Sequence, residues 1–401
     1  MSEPKRGALE DLRILDLATM AAGPWAASYL SDWGADVIKV EHPEMGDHLR
    51  RWGRLKDEIP LFWKSISRNK RAITVNLSHP EGRALVLDLV EQCDAVVENF
   101  RPGVLERWGL GPDDLIRARA DLIVLRTTAF GQTGPYATRP GFGTLAEAMS
   151  GLAHLTGEPD GPPTLAAYPL ADGVAGLAGA MALLAALYHR DASGGGGQVI
   201  DNAIAEANLR LVEYMVLEYD QLGVVPGRQG NRLPGLAPRN VYPTRDGGYV
   251  AISGGTQSTV IGLFDAIGRP ELIEDPRFAT SADRVTNVDA LDAVLGGWLV
   301  ERTMDEVMEV FDAKQVAAAP VADIAQVFAN PHYLDRETIV SVDDPDLGSA
   351  RTLAPHPRLS ATPGQIRHLG VPKGQDTNAV LRELLGYDDA RIARLREVGA
   401  I

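Results

Sequence analysis

The chain has 401 residues, of which 45% are hydrophobic and 23% are charged, and its composition is typical of a globular protein with two domains. The formal net charge of −15 argues against a nucleic-acid or anionic-membrane partner, because both require clustered Lys and Arg. A polyanionic small molecule is still compatible with this charge, since its pocket needs only a few local cations.

The single cysteine, Cys93, excludes an intrachain disulfide and any zinc site built from several cysteines. It predicts a reducing compartment, so we expect a cytoplasmic protein. Met1–Arg6 is polar and no apolar stretch follows it, which predicts that there is no secretory signal. The longest nearly apolar stretch, Val174–Tyr188, is shorter than the roughly 18 residues of a membrane span and predicts a buried helix.

The first third of the chain alternates β-branched runs with helical segments, which predicts an α/β fold with a parallel sheet covered by helices. The predicted strands are Arg13–Leu17, Asp36–Glu41, Ala72–Leu77, Ala95–Asn99 and Leu122–Thr127. The predicted helices are Trp25–Trp33, Pro80–Gln92, Thr144–Leu155, Val174–His189 and Ala205–Leu222. Gly194–Gly197 predicts a tight turn between the last two helices.

Glycine, proline and arginine cluster at Gly223–Pro238, which predicts a linker. Two strand-like runs follow in Val241–Ser253, and the Asp246-Gly247 pair between them predicts a hairpin. Further helices are predicted at Val260–Ile267, Val288–Glu301 and Met304–Lys314, so this part of the chain is expected to be a small α+β domain. Beyond about residue 320 we predict loops, a strand pair near Thr338–Val342 and Ala350–Leu353, and a helical tail.

The first strand and helix permit a dinucleotide-binding alternative, because Glu41 ends a second strand where a ribose-binding acid would lie. The turn between them, Ala21–Trp25, has one glycine instead of three, so a nicotinamide or flavin cofactor is a weak alternative. The chain has no P-loop, no HExxH and no GxSxG motif, and its eight histidines do not show metal-ligand spacing. We therefore predict no metal site.

Asp172 stands out because it lies at the start of the apolar helix. One interpretation is an ordinary N-cap, which satisfies backbone N–H groups of the first turn. The other is functional, since a helix N-terminus favours an ionised carboxylate and any negative charge that develops on it. Local sequence favours the cap and does not decide between the two.

A set of short motifs runs in order along nearly the whole chain. They are Gly23-Pro24, Gly34–Glu41 with Gly46-Asp47, Asn69–Arg71, Val97–Gly103, Phe130–Tyr136 and Leu155–Pro163. In these motifs, and in Asp172, the chain resembles the family III coenzyme A transferases, also called the CaiB/BaiF family, and is similar to its formyl-CoA transferase-like members.

The resemblance implies that Asp172 is the catalytic nucleophile of a CoA-transferase. In such enzymes the aspartate attacks an acyl-CoA to give an aspartyl-acyl anhydride, and the released thiolate returns to form an aspartyl-CoA thioester. The implied small-molecule partners are an acyl-CoA, such as succinyl-CoA or acetyl-CoA, and a carboxylic acid. Coenzyme A would be a substrate, and no permanently bound cofactor is expected.

The resemblance also implies an architecture. A Rossmann-like large domain would begin in residues 1–222, a linker and small α+β domain would occupy residues 223–320, and residues 321–401 would return to complete the large domain. Two chains would interlock as a ring-shaped homodimer, with each active site between the large domain of one subunit and the small domain of the other.

By position in the family pattern, a set of residues is expected to bind coenzyme A: Met20, Ala21, His42, Val75, Leu77, Asn99, Phe100, Val104, Arg107 and Arg139. His42 departs from the family, which often has arginine there. Trp52, Phe142, Gly143 and Arg239 are the candidates for the acid-binding pocket. Arg228, Arg232 and Arg239 are candidates to pair with the second carboxylate of a dicarboxylic acid, and a solvated linker is the alternative.

Two alternatives to a transferase are kept. The first is an α-methylacyl-CoA racemase of the same superfamily, which requires a histidine upstream of the aspartate, where this chain has Gly141–Thr144. The second is a non-catalytic CoA-binding protein in which Asp172 serves as a cap. Retention of all the motifs favours the transferase.

Overall fold

The computed structural model describes residues 7–401, so the prediction made from Met1–Arg6 lies outside the described residues. Within this range the chain forms thirteen strands and eighteen α-helices. The strands are β1 (Arg13–Asp16), β2 (Asp36–Glu41), β3 (Leu55–Lys56), β4 (Ile59–Pro60), β5 (Lys70–Thr74), β6 (Ala95–Glu98), β7 (Ile123–Thr128), β8 (Gln198–Ala203), β9 (Arg239–Pro243), β10 (Tyr249–Ser253), β11 (Ala318–Pro320), β12 (Ile339–Asp344) and β13 (Gly348–Leu353).

The α-helices vary from one turn to 24 residues in length. They are α1 (Ala22–Asp32), α2 (Leu61–Ile66), α3 (Pro80–Val90), α4 (Val104–Arg107), α5 (Pro112–Ala118), α6 (Gly143–Met149), α7 (Leu152–Leu155), α8 (Leu170–Ser193), α9 (Ile204–Leu209), α10 (Glu213–Leu222), α11 (Gln257–Ala266), α12 (Ser281–Thr286), α13 (Val288–Leu299), α14 (Met304–Ala313), α15 (Ile324–Ala329), α16 (Pro331–Asp335), α17 (Thr377–Leu385) and α18 (Asp389–Glu397).

The first of two compact units comprises the chain up to Leu152, Leu165–Gly223 and Asp335–Ile401. Its six-stranded sheet has the order β5-β2-β1-β6-β7-β8, and the pairs are parallel. Alternate residues of each central strand enter separate cores, since Leu15 packs on the α3 side and Ile14 packs on the side of α1 and α8. Burial of both faces explains the β-branched runs in the sequence and confirms the predicted α/β class.

The edge strand β8 was not predicted. The glycine run before it was interpreted as a turn between two helices, but it both ends α8 and leads into this strand. Gly194 takes a φ of 63° as the C-cap of α8, and a Cβ on Gly197 would lie 2.4 Å from the Leu122 carbonyl oxygen. Glycine at position 197 is therefore needed because the backbone there passes close to Leu122, where β8 pairs with β7.

Helix α8 is the one helix in the described part of the chain that is long and apolar enough to cross a membrane. It buries Ala175, Gly176, Gly179, Ala180 and Leu183 and packs along α1. A Cβ on Gly176 would lie 2.8 Å from the Trp25 Cβ, so glycine permits this close approach. The prediction of a buried helix holds for one face, whereas the other face exposes Leu177, Met181 and Tyr188.

The second unit comprises Ala153–Thr164 and Val224–Leu334. The predicted hairpin forms β9 and β10, β11 completes an antiparallel sheet, and apolar side chains of α11, α13 and α14 pack with it. The unit extends beyond the predicted limits of 223 and 320. Residues 153–164 join it because Gly157 accepts a hydrogen bond from Gly230, and the chain after 320 joins it because the Val321 N–H donates to Tyr249.

Candidate active site

The carboxyl ends of four parallel strands in the first unit meet around a cavity of about 330 Å³. In open α/β sheets, ligands bind in the crevice outside the carboxyl ends of the strands, at the point where the strand order reverses. Here that point lies next to β1, between β2 and β6. The lining residues come from the segments after β1, β2, β5 and β6, and they include Leu17, Thr19, His42, Val75, Leu77 and Phe100. We refer to it below as the strand-end cavity.

Four of the predicted CoA-binding residues therefore lie together, namely His42, Val75, Leu77 and Phe100. Asn99, Val104, Arg107 and Arg139 do not line this cavity. The Asn99 amide instead bonds to both backbone groups of Thr19, and the Arg139 guanidinium stacks on the Tyr136 ring, 3.7 Å from its centroid. A contact of these four residues with coenzyme A stays a prediction.

His42 has a defined structural role at the rim of the strand-end cavity. Its Nδ1 accepts hydrogen bonds from the backbone N–H groups of Glu44 and Met45, at 3.2 and 3.3 Å. The neutral ring therefore carries its proton on Nε2, which is a donor. A single donor replaces the five N–H donors of the arginine common in the family.

Asp172 lies in a second cavity of about 550 Å³ in the same unit. We refer to it as the Asp172 cavity. Met20 and Ala21 line it, and so do three of the four residues predicted for the acid-binding pocket, Trp52, Phe142 and Gly143. Sequence analysis missed Glu147 and the segment Leu165–Pro169, which complete the wall because Glu147 accepts a hydrogen bond from the Ala166 N–H.

The N-cap interpretation of Asp172 is wrong. Helix α8 begins at Leu170 with Pro169 as its N-cap, so Asp172 lies inside the first turn and makes no cap hydrogen bond. Within residues 7–401 no hydrogen bond or ion pair involves its carboxylate. Burial raises the pKa of Asp172 from 3.8 to about 6, because the ionised form loses hydration without gaining a partner.

Gly143 determines where the Asp172 carboxylate lies. A Cβ at position 143 would come within 2.4 Å of Asp172 Oδ2 and 2.8 Å of its Cγ. Any other residue at this position would displace the carboxylate. Glycine thus permits the close approach of the two residues.

Aromatic side chains line one side of the Asp172 cavity. Trp52, which is 42% exposed, packs edge-on against Phe62 with ring centroids 4.8 Å apart. Phe62 packs in turn against Trp25 on α1, at 5.9 Å. Trp52 is therefore a cavity-lining residue held by Phe62, which belongs to the packing behind it. A contact of Trp52 with the acid stays a prediction.

The structure separates the three arginines of the glycine-rich segment in the second unit. Arg232 is paired with Asp289 and Asp292 at 2.7 and 2.6 Å. Arg228 donates to the backbone carbonyls of His154 and Glu158. Arg239 lines a cleft of about 630 Å³ beside β9, β10 and β11.

The Arg239 guanidinium makes one hydrogen bond, from Nη1 to the Asn231 carbonyl at 2.8 Å. In the described part of the chain no carboxylate pairs with it. The cleft walls near it carry neutral polar side chains, namely Asn231, Asn240 and Ser253. Of the three arginines, Arg239 alone thus combines an unpaired charge with a cleft.

Comparison with known proteins agrees with this geometry. The family model described as CoA-transferase family III matches residues 9–377. The chain belongs to this family. It is therefore a CoA-transferase, an enzyme that moves CoA from an acyl-CoA to a carboxylic acid, and the family resemblance of its motifs is confirmed.

The chain is 42% identical to the succinyl-CoA–D-citramalate CoA-transferase of Chloroflexus aurantiacus, over 97% of this chain and 96% of that protein. It is also 42% identical to the beta subunit of the succinyl-CoA–L-malate CoA-transferase of the same organism, with the same coverage. The crystal structure of a CaiB/BaiF family protein from Brucella suis has a TM-score of 0.84 and 34% identity, over 95% of this chain and 100% of that one.

Replacement Asp172→Asn tests the environment of the carboxylate. The folded-state pKa of about 6 exceeds the unfolded value of 3.8. Ionisation of Asp172 therefore lowers the stability of the folded wild type as the pH rises from about 4 to about 6, and this loss stays constant at higher pH. The variant escapes this cost. We expect its stability advantage over the wild type to grow from about pH 4 to about pH 6.5, to at most about 3 kcal/mol.

Calorimetric unfolding across this pH range measures the effect. Asp191→Asn is the matched control, because Asp191 is an exposed carboxylate near the other end of α8. An advantage of Asp172→Asn that is equal at pH 4 and pH 7 would contradict the raised pKa.

Proposed function

We propose that this CoA-transferase transfers CoA from succinyl-CoA, or a similar acyl-CoA, to a dicarboxylic acid through covalent intermediates on Asp172. The observation that carries the proposal is a partly buried carboxylate with no partner among the described residues, in a cavity of about 550 Å³ that adjoins the smaller strand-end cavity of about 330 Å³. Citramalate and malate, the acids named for two relatives, are dicarboxylic acids and support the choice of acceptor.

In the proposed first step, an Asp172 oxygen attacks the thioester carbonyl and the C–S bond breaks, giving an aspartyl-acyl anhydride and the CoA thiolate. The thiolate then attacks the aspartyl carbonyl and releases the donor acid, which leaves an aspartyl-CoA thioester. The acceptor carboxylate attacks this thioester and expels the CoA thiolate, which gives a second aspartyl-acyl anhydride. The thiolate then attacks the acyl carbonyl of the acceptor, and the bond to the Asp172 oxygen breaks, which forms the new acyl-CoA and frees Asp172. Each step exchanges one acyl bond for another and needs no external oxidant or proton donor.

The environment of Asp172 suits this role. A pKa near 6 leaves the carboxylate ionised at neutral pH, and the same burial makes it a better nucleophile than a hydrated aspartate. The anhydride must also be kept from water, and the aromatic side chains of Trp52 and Phe142 line the cavity. The strand-end cavity supplies space for the CoA nucleotide, with His42 Nε2 as a donor at its rim.

The racemase alternative lacks the histidine that its acid–base pair requires. All eight histidines lie among the described residues, and none of them lines the Asp172 cavity. Phe142 stands where the Gly-His-Asp pattern of the racemases places its histidine. A non-catalytic CoA-binding protein is disfavoured because burying an unpaired carboxylate costs stability without serving a structural contact.

The test is transfer from succinyl-CoA to malate, citramalate, glutarate and acetate, followed by separation of the CoA esters. We expect transfer with the wild type and with Asp191→Asn, and a loss of at least about a thousandfold with Asp172→Ala. Deuterium uptake at the α-carbon of the acyl-CoA in D₂O, measured in parallel, should be absent. Transfer that survives Asp172→Ala, or α-carbon exchange without transfer, would contradict the proposed function.

Arg239 is proposed to bind the second carboxylate of the acid. Hydrogen bonds to charged groups contribute about 1.5–3 kcal/mol, so Arg239→Gln should lower kcat/KM for dicarboxylic acids about 10–100-fold while acetate changes little. Arg239→Lys should retain part of the preference, since it keeps the charge and loses the bidentate geometry. Arg232→Gln is the control, because it breaks an internal ion pair. Equal losses for mono- and dicarboxylic acids with Arg239→Gln would exclude this role.

We also propose that the enzyme is a homodimer, interlocked as the family resemblance implies. Helix α10 supports an interface, since none of its residues is buried and it exposes Tyr214, Leu217, Tyr219 and Leu222. Because one relative is named a beta subunit, a hetero-oligomer is the competing arrangement. Sedimentation equilibrium of the purified chain should give twice the monomer mass, and Leu217→Glu should shift it toward the monomer; a monomeric wild type would refute the homodimer.

We propose a cytoplasmic location because the single cysteine, Cys93, is a free thiol. Cys93 is a buried free thiol, and burial raises its pKa to about 12, so it is protected from oxidation rather than used for a disulfide. Fractionation of cells that express the full chain tests the location, and recovery of the protein outside the cytoplasmic fraction would contradict it.

A further inference from the structure

One short segment connects the two cavities of the first unit. Residues 17–21, which we call the linking loop, leave the carboxyl end of β1 and enter α1. Leu17 and Thr19 line the strand-end cavity, whereas Met20 and Ala21 line the Asp172 cavity. The spacing between the two cavities therefore depends on the conformation of this loop.

Side chains from the sheet hold the backbone of the linking loop. Asn99 accepts from the Thr19 N–H at 2.8 Å and donates to the Thr19 carbonyl at 2.7 Å. Asp16 accepts from the Ala18 N–H at 3.1 Å, and the Ala18 carbonyl accepts from the Lys39 ammonium. The Leu17 N–H donates to the Val97 carbonyl at 2.9 Å, and beyond Leu17 the loop is held by side-chain bonds where a regular helix or strand would use backbone bonds.

Met20 carries the strain of this arrangement. Its φ is 62°, in the left-handed region that a non-glycine residue enters at a cost of about 1–2 kcal/mol. Such a conformation persists only where the surroundings impose it. Here the Met20 N–H donates to Asp47 Oδ1 at 3.2 Å, and the same oxygen accepts from the Leu49 N–H at 2.8 Å.

Asp47 is held in turn by a buried cation. Its Oδ2 lies 3.1 Å from the Lys39 ammonium, and both side chains are 1% exposed. Burial alone would raise the pKa of Asp47, but the Lys39 charge and the N–H groups of Leu49 and Met20 lower it below its ordinary value. The pair is therefore ionised at neutral pH. Buried ion pairs are often no more stabilising than apolar side chains of similar size. A gain in stability is therefore a weak explanation for the presence of the Lys39–Asp47 pair.

We propose that Lys39 and Asp47 are positioning residues, which hold Met20 in its left-handed conformation so that one acyl-CoA can occupy both cavities with its thioester at Asp172. The inference rests on the proposed function, since it assigns the CoA nucleotide to the strand-end cavity and the thioester to the Asp172 cavity. Neither residue lines the Asp172 cavity, so any effect on the thioester position passes through the linking loop; Asp47 also lines the strand-end cavity, to which the nucleotide is assigned.

A double-mutant cycle tests the proposal. Asp47→Asn keeps an acceptor for Met20 but removes the charge that pairs with Lys39, so we expect kcat for succinyl-CoA to fall at least about tenfold with little change in KM. Glycine adopts a positive φ without cost, so the same change in the Met20→Gly background should lower kcat less than about threefold. Equal losses in the two backgrounds would overturn the proposal.

Asp344→Asn is the matched control, because Asp344 forms another buried ion pair, with Lys64 at 2.8 Å, in a different part of the same unit. It should lower the unfolding midpoint without changing kcat. A kcat loss from Asp344→Asn as large as that from Asp47→Asn would show that both act through stability and would overturn the proposal.

Amide hydrogen exchange of the linking loop gives a readout that does not depend on activity. Asp47→Asn should increase exchange in peptides that cover residues 17–21, and Asp344→Asn should not. Unchanged exchange with Asp47→Asn overturns the positioning role even if the enzyme is active. Absence of transfer in the wild type would instead refute the proposed function, so the two failures are distinguishable.

Discussion

The proposed chemistry depends on one unfavourable arrangement: the Asp172 carboxylate is partly desolvated and has no partner among the described residues. Most buried carboxylates of this chain are paired, as Asp16 is with Lys70 and Glu98 with Arg126. Asp172 differs, and its raised pKa follows from desolvation alone. Desolvation of the Asp172 carboxylate is unfavourable for the folded state. This cost is consistent with a nucleophile that must be ionised, poorly hydrated and free to form a new bond.

The fold accounts for how this arrangement is maintained. The parallel sheet brings the ends of four strands to one edge, where a crevice forms, and α8 delivers Asp172 beside it. Close packing then positions the Asp172 carboxylate. Gly176 allows α8 to pack closely on α1, and Gly143 at the start of α6 allows the backbone to lie against the Asp172 side chain. The proposed substrate-binding and catalytic groups thereby lie on rigid elements. The loop at residues 17–21 is held by charged and amide side chains in addition to the backbone bond from the Leu17 N–H to the Val97 carbonyl.

Much of the fold was predictable, because buried parallel strands and amphipathic helices leave periodic apolar patterns, as at Asp36–Glu41 and Pro80–Val90. Strand β8 was missed because its docking depends on a contact between Gly197 and Leu122, which are far apart in sequence. The motifs identified the family and Asp172, but not its environment. Local sequence favoured an N-cap at Asp172 because it did not show that α8 begins at Leu170, with Pro169 as its N-cap. The choice of Arg239 over Arg232 requires knowing that Asp289 and Asp292 neutralise Arg232.

The central claim is that Asp172 becomes acylated, and oxygen transfer tests it most directly. In a single turnover with succinyl-CoA and an acceptor acid labelled with ¹⁸O in its carboxylates, the covalent route leaves one acceptor oxygen on Asp172 and releases unlabelled succinate. Mass spectrometry of the peptide that contains Asp172 should then show one ¹⁸O. An unlabelled peptide together with ¹⁸O in succinate would show direct transfer between the two acids and would contradict the account.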